Sequence, residues 1–298
     1  MKKRIFRILP LIVLLVLIGC SDWLDTEYTS VDTTKPWEQN PELWQDYKAN
    51  LRDYKNRDHY IVYAQFFNSP ENPISEKGYM RCLPDSLDMV ALSNADNLSS
   101  FDKEDMAWMK SIGTKVLYRM DIAAKAAAGA SGKEISAYTD KVVSIVKDAG
   151  LDGFAITLSP VLGEKTISSI ISGLAKTGLT VVSEGDPALV KEADREKIAL
   201  FVLPTETIEL QYDLHNAVQD AIDLGISKEK LILNVSLDGS FKNKSNKELP
   251  VVEAFAGSVL SEGPLKGLAL CNIESDYYHF EGNWTLLRST IQILNPSR

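Results

Sequence analysis

Four carboxylates, Asp121, Glu184, Glu206 and Glu274, fall at or just past the ends of short apolar runs of strand length. Two such groups roughly 5–5.5 Å apart would suit a retaining displacement at a glycosidic carbon, and a wider gap would admit a water and invert it. Carboxylates in such places also arise as helix caps or solvated loop residues, so the residues alone leave both readings open. Asp152, Thr157 and Asn272 are hydrogen-bonding groups on two such runs, and Asp152 could equally hold a strand end. The aromatics Phe66, Phe67, Tyr118, Tyr277, Tyr278 and Trp284, with Asn68 beside them, also lie near run ends. Flat apolar faces next to donors and acceptors suit a sugar ring. For any one of these aromatics, packing between strand and helix is the competing role. Tyr277, Tyr278 and Trp284 share the run E-S-D-Y-Y-H-F-E-G-N-W, whose polarity argues for exposure as a cluster. The chain has three histidines and no Cys/His group at metal-ligand spacing, so neither a metal nor another cofactor is expected.

Something must hold these residues in place, and a rhythm from residue 60 onward supplies it. Strand-length runs at 60–67, 88–93, 115–122, 150–158, 179–184, 197–205, 231–237 and 267–274 alternate with helix-length segments. Gly113, Gly150, Gly178 and Gly225 each end a helix just before the next strand, where the left-handed conformation closes a helix at low cost. One helix shows an apolar face at Ile135, Tyr138, Val142, Ile145, Val146 and Ala149, another at Ile167, Ile170, Ile171 and Leu174. Near-continuous apolar strands alternating with helices imply a parallel sheet covered by helices. Eight units ending in a helix near 284–294 favour a single-domain (β/α)8 TIM barrel over residues 57–298. No G-x-G-x-x-G follows the first strand, which weighs against a dinucleotide-binding sheet. An additional N-terminal helix is expected from Asn40, with Leu43, Trp44, Tyr47, Leu51 and Tyr54 on one face.

The fourth strand, Leu151-Asp152-Gly153-Phe154-Ala155-Ile156-Thr157-Leu158-Ser159, resembles the signature D-G-x-D-x-D-x-E of glycoside hydrolase family 18, the chitinases and endo-β-N-acetylglucosaminidases. Asp152 and Gly153 match its opening. Ala155 and Thr157 stand where the second and third aspartates belong, and Ser159 where the glutamate belongs. The last strand, Gly267-Leu268-Ala269-Leu270-Cys271-Asn272-Ile273-Glu274, resembles G-V-M-x-Y-N-L-D of the endoglycosidase branch. There Gly267 and Asn272 match, Cys271 replaces tyrosine and Glu274 replaces aspartate. Leu203-Pro204-Thr205 departs from the family's tyrosine-bearing sixth strand end, with Tyr212-Asp213 a little beyond it. The resemblance implies that a glutamate should protonate the leaving oxygen while the substrate's own acetamido group attacks, oriented by the last aspartate. Strand residues alternate between faces, so Ala155, Thr157 and Ser159 should face the barrel mouth and Phe154, Ile156 and Leu158 the helices. Serine is no proton donor near neutral pH, and loss of a general acid alone removes about 10²–10⁴ in rate.

The N-terminus carries Lys2, Lys3, Arg4 and Arg7, then an apolar run to Gly19 too short to span a bilayer as a mature helix. Leu17-Ile18-Gly19-Cys20 resembles a bacterial lipobox, which implies removal of residues 1–19 and lipidation of Cys20. Residues 20–56 would then comprise a tether and the N-terminal helix. Acidic Asp22 and Asp25 in that tether resemble a surface-export signal. Removing the four basic residues takes the net charge from -9 to -13, which argues against nucleic acid and suits a neutral ligand. Cys82 and Cys271 would remain, with any pairing open. The expectation is a lipoprotein of the outer membrane, on the cell surface, holding N-acetylglucosamine-containing oligosaccharides such as N-glycans without cleaving them. Surface glycosidases and an outer-membrane transporter would be its partners. The alternative is an active hydrolase with relocated carboxylates at Glu184, Glu206 and Glu274.

Overall fold

A computed structural model describes residues 34–69 and 74–296. The expected signal peptide, Cys20, Asp22, Asp25 and the first part of the tether lie outside these residues. The chain divides into two compact units, Met1–Gln45 and Asp46–Arg298. In the first, a single helical turn at Pro36–Gln39 sets the Trp37 and Trp44 rings 6.1 Å apart, with Lys35 Nζ 5.2 Å above Trp37. Asn40 Oδ1 accepts Leu43 N–H at 3.0 Å and so starts α1 (Pro41–Asn56) as its sequence predicts. The apolar face expected along α1 is buried only in its second half: Leu43 is exposed, whereas Leu51 is buried and Tyr54 half-buried.

In the second unit every predicted run becomes a strand. These are β1 (Ile61–Phe66), β2 (Met89–Leu92), β3 (Lys115–Asp121), β4 (Gly153–Thr157), β5 (Thr180–Glu184), β6 (Leu200–Leu203), β7 (Leu231–Ser236) and β8 (Gly267–Cys271). They close in sequence order into a parallel barrel, β8 pairing with β1 through Ile61↔Gly267 to Ala64↔Leu270. The helices between them are α2 (Ser100–Ser111), α3 (Ile122–Ala127), α4 (Gly132–Ala149), α5 (Glu164–Ala175), α6 (Glu192–Arg195), α7 (Gln211–Asp223) and α8 (Val251–Ser261), and α9 (Thr285–Leu294) ends the fold. A small hairpin, residues 241–249, rises between β7 and α8. Gly113, Gly150, Gly178 and Gly225 all take positive φ, as the closing of α2, α4, α5 and α7 requires. Ile167, Ile170, Ile171 and Leu174 of α5 are all buried, and so are Ile135, Val142 and Val146 of α4.

Two apolar regions result from the alternation of strand side chains. The larger lies between barrel and helices and contains Phe154, Ile156, Tyr118 and Phe66. The smaller fills the barrel interior with Tyr63, Met89, Ala91, Leu117, Ala155, Val182, Leu200, Val202, Ile232 and Ala269. The interior is thus packed at its lower levels and leaves only the C-terminal ends of the strands for chemistry.

The opposite end is covered by the second half of α1. Arg52 Nη1 donates to Ser111 O at 2.6 Å, and Tyr47 Oη to Asp85 Oδ2 at 2.7 Å. Lys55 Nζ donates to Asp85 O at 2.7 Å and to Thr114 Oγ1 at 2.6 Å. Burial outweighs the pull of Asp88 and Asp85 and pushes the Lys55 amine down to about 8. The folded state then sheds this proton at lower pH than the unfolded chain. Stability linked to Lys55 is absent below the folded value and is gained as pH rises from about 8 towards the unfolded lysine value. In chemical denaturation at stepped pH, the wild type should gain stability relative to Lys55→Met across that window. Parallel pH curves would show that the amine is solvated.

Candidate functional site

The mouth is read most directly from β4 and its neighbours. The register sets Arg119, Ala155 and Val182 in one row across β3, β4 and β5, and Asp121, Thr157 and Glu184 in the next row outward. Ala155 lies in the interior cluster, while Phe154 and Ile156 pack against the helices and half-buried Leu158 joins them. The inward face of β4 is therefore alanine, then threonine. Ser159 follows, where its Oγ accepts Val161 N–H at 3.4 Å and starts a short turn. None of the three carries an acid.

An ion pair joins the two strands that flank β4. Arg119 on β3 donates through Nε to Glu184 Oε2 on β5 at 2.6 Å. Because β4 lies between those strands, the bridge passes over the inner face of β4. The other oxygen of Glu184 accepts Tyr63 Oη–H at 2.5 Å. Burial, followed by the Glu184 charge, holds the Tyr63 phenol far above its usual range. Burial opposes the charge on Arg119, but the Glu184 carboxylate outweighs it and raises the guanidinium further. Glu184 is thus an acceptor at both oxygens, buried at the floor of the mouth.

The remaining carboxylates are also engaged. Asp121 caps α3 by accepting Ala124 N–H at 2.9 Å and accepts Thr157 Oγ1–H at 2.8 Å. Glu206 Oε2 accepts Asn234 Nδ2–H at 3.0 Å, and Glu274 Oε1 accepts Phe67 N–H at 2.7 Å. Cys271 sits at the end of β8, and its thiol is pushed up to about 11 by burial and then by the charge of Glu206. Cys82 and Cys271 are both free thiols. Among the described residues no group of three or more His, Cys, Asp and Glu side chains could hold a metal ion.

The residues named from sequence divide sharply. Thr157, Asn272, Phe67, Tyr277 and Tyr278 lie on the mouth side. Asn272, in the left-handed conformation, donates through Nδ2 to Ser236 Oγ at 3.0 Å. Tyr277 Oη donates to Glu76 at 3.3 Å, linking the loops after β8 and β1. Phe67 and Tyr278 are exposed, as is Phe280, which the sequence reading passed over. Five of the residues named from sequence are buried or lie away from the mouth, Asp152 in the strand-end role its sequence also allowed. Asp152 sits at the N-terminal end of β4, away from the mouth, where Oδ2 accepts Val116 N–H at 2.8 Å. Asp88 does the same for Val62 at the start of β1, at 2.9 Å, so this is a device for tying strand ends. Tyr118 faces the helices, fully buried, with its hydroxyl bonded to Asp96. Trp284 is the largest fully buried side chain, although its run is polar. Asp276 explains this: it accepts the backbone N–H groups of Leu286 and Leu287, both at 2.9 Å, and folds the loop so that Trp284 turns inward while Tyr278 and Phe280 stay out. Phe66 and Asn68 are buried as well, Asn68 bonding Asp102 at 2.8 Å. Tyr278→Ala removes little buried area, so stability in chemical denaturation should change by no more than about 0.5 kcal/mol.

Arg119, Tyr63 and Asn234 are not singled out by the sequence because each sits inside an otherwise apolar strand run. Their signal was a polar group at an inward position of a strand, legible only once the register is known.

Comparison with known proteins supports the family resemblance. The model of glycoside hydrolase family 18, BT1044-like, matches residues 25–154. That match stops one residue short of Ala155. A solved BT1044 structure superposes with a TM-score of 0.71 at 19% identity, covering 88% of this chain and 96% of that one. An endo-β-N-acetylglucosaminidase from Cordyceps militaris gives 0.62 at 18% identity over 84% and 95%. A family-18 chitinase from the chitin utilization locus of Flavobacterium johnsoniae gives 0.57 at 10% over 80% and 94%. At these identities the likeness shows the shared barrel. No curated protein matches the chain significantly.

Proposed function

We propose that this family-18-like barrel binds an N-acetylglucosamine-containing oligosaccharide, an N-glycan being one such ligand, and does not hydrolyse it. One observation carries the reading. The inner face of β4 presents Ala155 and Thr157, Ser159 follows in the turn beyond it, and the Arg119–Glu184 bridge joins the strands on either side. Cleavage of a glycosidic bond needs a group that gives a proton to the leaving oxygen at working pH. A hydroxyl cannot do so. Of the two carboxylates that flank Thr157 by register, Glu184 has both oxygens taken by donors of its own protein, and Asp121 accepts from Thr157 and caps α3. What remains is a polar, anionic mouth with exposed Phe67 and Tyr278 at its rim, which suits a neutral sugar.

The lipobox-like Leu17-Ile18-Gly19-Cys20 supports export and anchoring by lipid to the outer membrane, facing the cell exterior. A protein that holds a glycan there would serve surface glycosidases and an outer-membrane transporter as its partners. Purified mature protein should bind chitin oligomers or N-glycans on an array and release no reducing sugar from either. Absence of binding to every member would overturn the reading. Turnover abolished by Glu184→Gln or Glu206→Gln would replace it with the relocated-carboxylate hydrolase.

A further inference from the structure

The β6–β7 side of the barrel holds an acceptor with no partner. Asn234 is an inward residue of β7, paired laterally with Ala269 of the interior cluster. Its main chain is locked from both sides by Thr205, whose Oγ1 donates to Asn234 O at 2.7 Å and accepts Asn234 N–H at 2.8 Å. Its side-chain nitrogen donates to Glu206 Oε2 at 3.0 Å, which fixes which end of the amide is which, since a carboxylate cannot donate to the oxygen. Asn234 Oδ1 is then left buried with no hydrogen-bond partner, and the residue is only 6% exposed. An unfilled acceptor in a low-dielectric setting is costly, and native proteins fill nearly all of them. Everything else about this side chain is held in place, so the oxygen is preorganised for a donor.

We propose that Asn234 Oδ1 and the neighbouring Glu206 carboxylate form a subsite that reads hydroxyl donors of a neutral pyranose, and that this subsite, on the β6–β7 side away from β4, sets ligand selectivity. This rests on the glycan reading above. Two neighbouring acceptors suit a diol, which offers two donors. The charges of both Glu206 and Glu184 act on the Cys271 thiol, and the guanidinium of Arg119 is already committed to Glu184. That balance repels a sugar carboxylate or sulfate. Because Oδ1 is closed to bulk solvent, the donor reaching it is either carried by a ligand or is one trapped water, and these two cases separate by experiment.

Calorimetric titration of the mature protein with N,N′-diacetylchitobiose, chitotetraose and an oligogalacturonide of equal length provides the test. Wild type should bind the neutral oligomers and bind the acidic one at least about 10-fold more weakly. Asn234→Leu, close to isosteric, should lose about 10- to 100-fold in affinity for the neutral ligands, the worth of one hydrogen bond to a desolvated or charged acceptor. It should fold as well as wild type, since it removes an unsatisfied buried group. Glu206→Gln should narrow the gap between neutral and acidic ligands. Unchanged affinity in Asn234→Leu means a trapped water only and overturns the subsite while leaving the glycan reading intact. A wild type that binds none of the neutral oligomers overturns the glycan reading, and the subsite with it. Should Asn234→Leu fail to fold, Asn234→Ala, which also removes the acceptor, should lose affinity by a similar factor; equal affinity would count against the assignment.

Discussion

Glu184→Ala should destabilise the fold by about 3–5 kcal/mol, the cost of leaving one member of a buried ion pair uncompensated. Three groups meet here: the carboxylate, 4% exposed at its side chain, the Arg119 guanidinium, 22% exposed, and the Tyr63 hydroxyl inside the barrel. Removing the carboxylate leaves a cation and a phenol facing each other in a low-dielectric space. The triple replacement Tyr63→Phe, Arg119→Met and Glu184→Leu removes all three polar groups at once. It should recover most of the loss, since well-packed apolar residues often replace a buried pair at no net cost. Urea denaturation with unchanged slope checks both statements. A loss below about 1 kcal/mol for Glu184→Ala would show that the mouth is wet down to this level. The same result would reopen Glu184 as a catalytic group, because a carboxylate in contact with water is free to exchange protons. Structural and catalytic roles for Glu184 thus predict different measurements, and the buried bridge favours the first.

The barrel was legible in the sequence because its information is local. Each strand is an apolar run ended by turn residues, and each glycine that closes a helix announces the next strand. The inward positions of β4 followed from alternation alone, and Ala155, Phe154 and Ile156 fall on the expected faces. The site was less legible for two physical reasons. Side-chain partners come from strands far apart in sequence, so the Arg119–Glu184–Tyr63 cluster needs the closed register before it exists. The loop after β8 misled because polarity was taken as exposure. Asp276 spends its charge on the N-terminus of α9, and that capping turns Trp284 inward. A polar run can be a scaffold for one buried ring, and composition does not reveal which residue is held under.

Gly267→Ala and Gly153→Ala should each cost about 3 kcal/mol or more, at the upper end of overpacking penalties, and need not touch ligand affinity in whatever protein remains folded. A Cβ on Gly267 would lie 1.9 Å from Ile61 O, and one on Gly153 2.1 Å from Thr180 O. Both obstacles are backbone atoms of the neighbouring strand, so no side chain can swing aside. These are the two motif glycines of the fourth and eighth strands. Asp152, the third matching residue of the fourth-strand motif, ties the start of β4 to β3. The parts of the family pattern that this chain keeps on β4 are therefore those that let strands approach and pair. At 155 and 157, where the resembled pattern has carboxylates, the chain has alanine and threonine. The requirement for strand closure falls at the start of β4, at Asp152 and Gly153, and the positions where the pattern has carboxylates fall further along the strand, so the two can separate without disturbing each other. A denaturation midpoint that falls sharply in both glycine variants, with unchanged glycan affinity per folded molecule, is the expected outcome. Full stability in Gly267→Ala would mean that β1 and β8 do not pack as closely as their register requires.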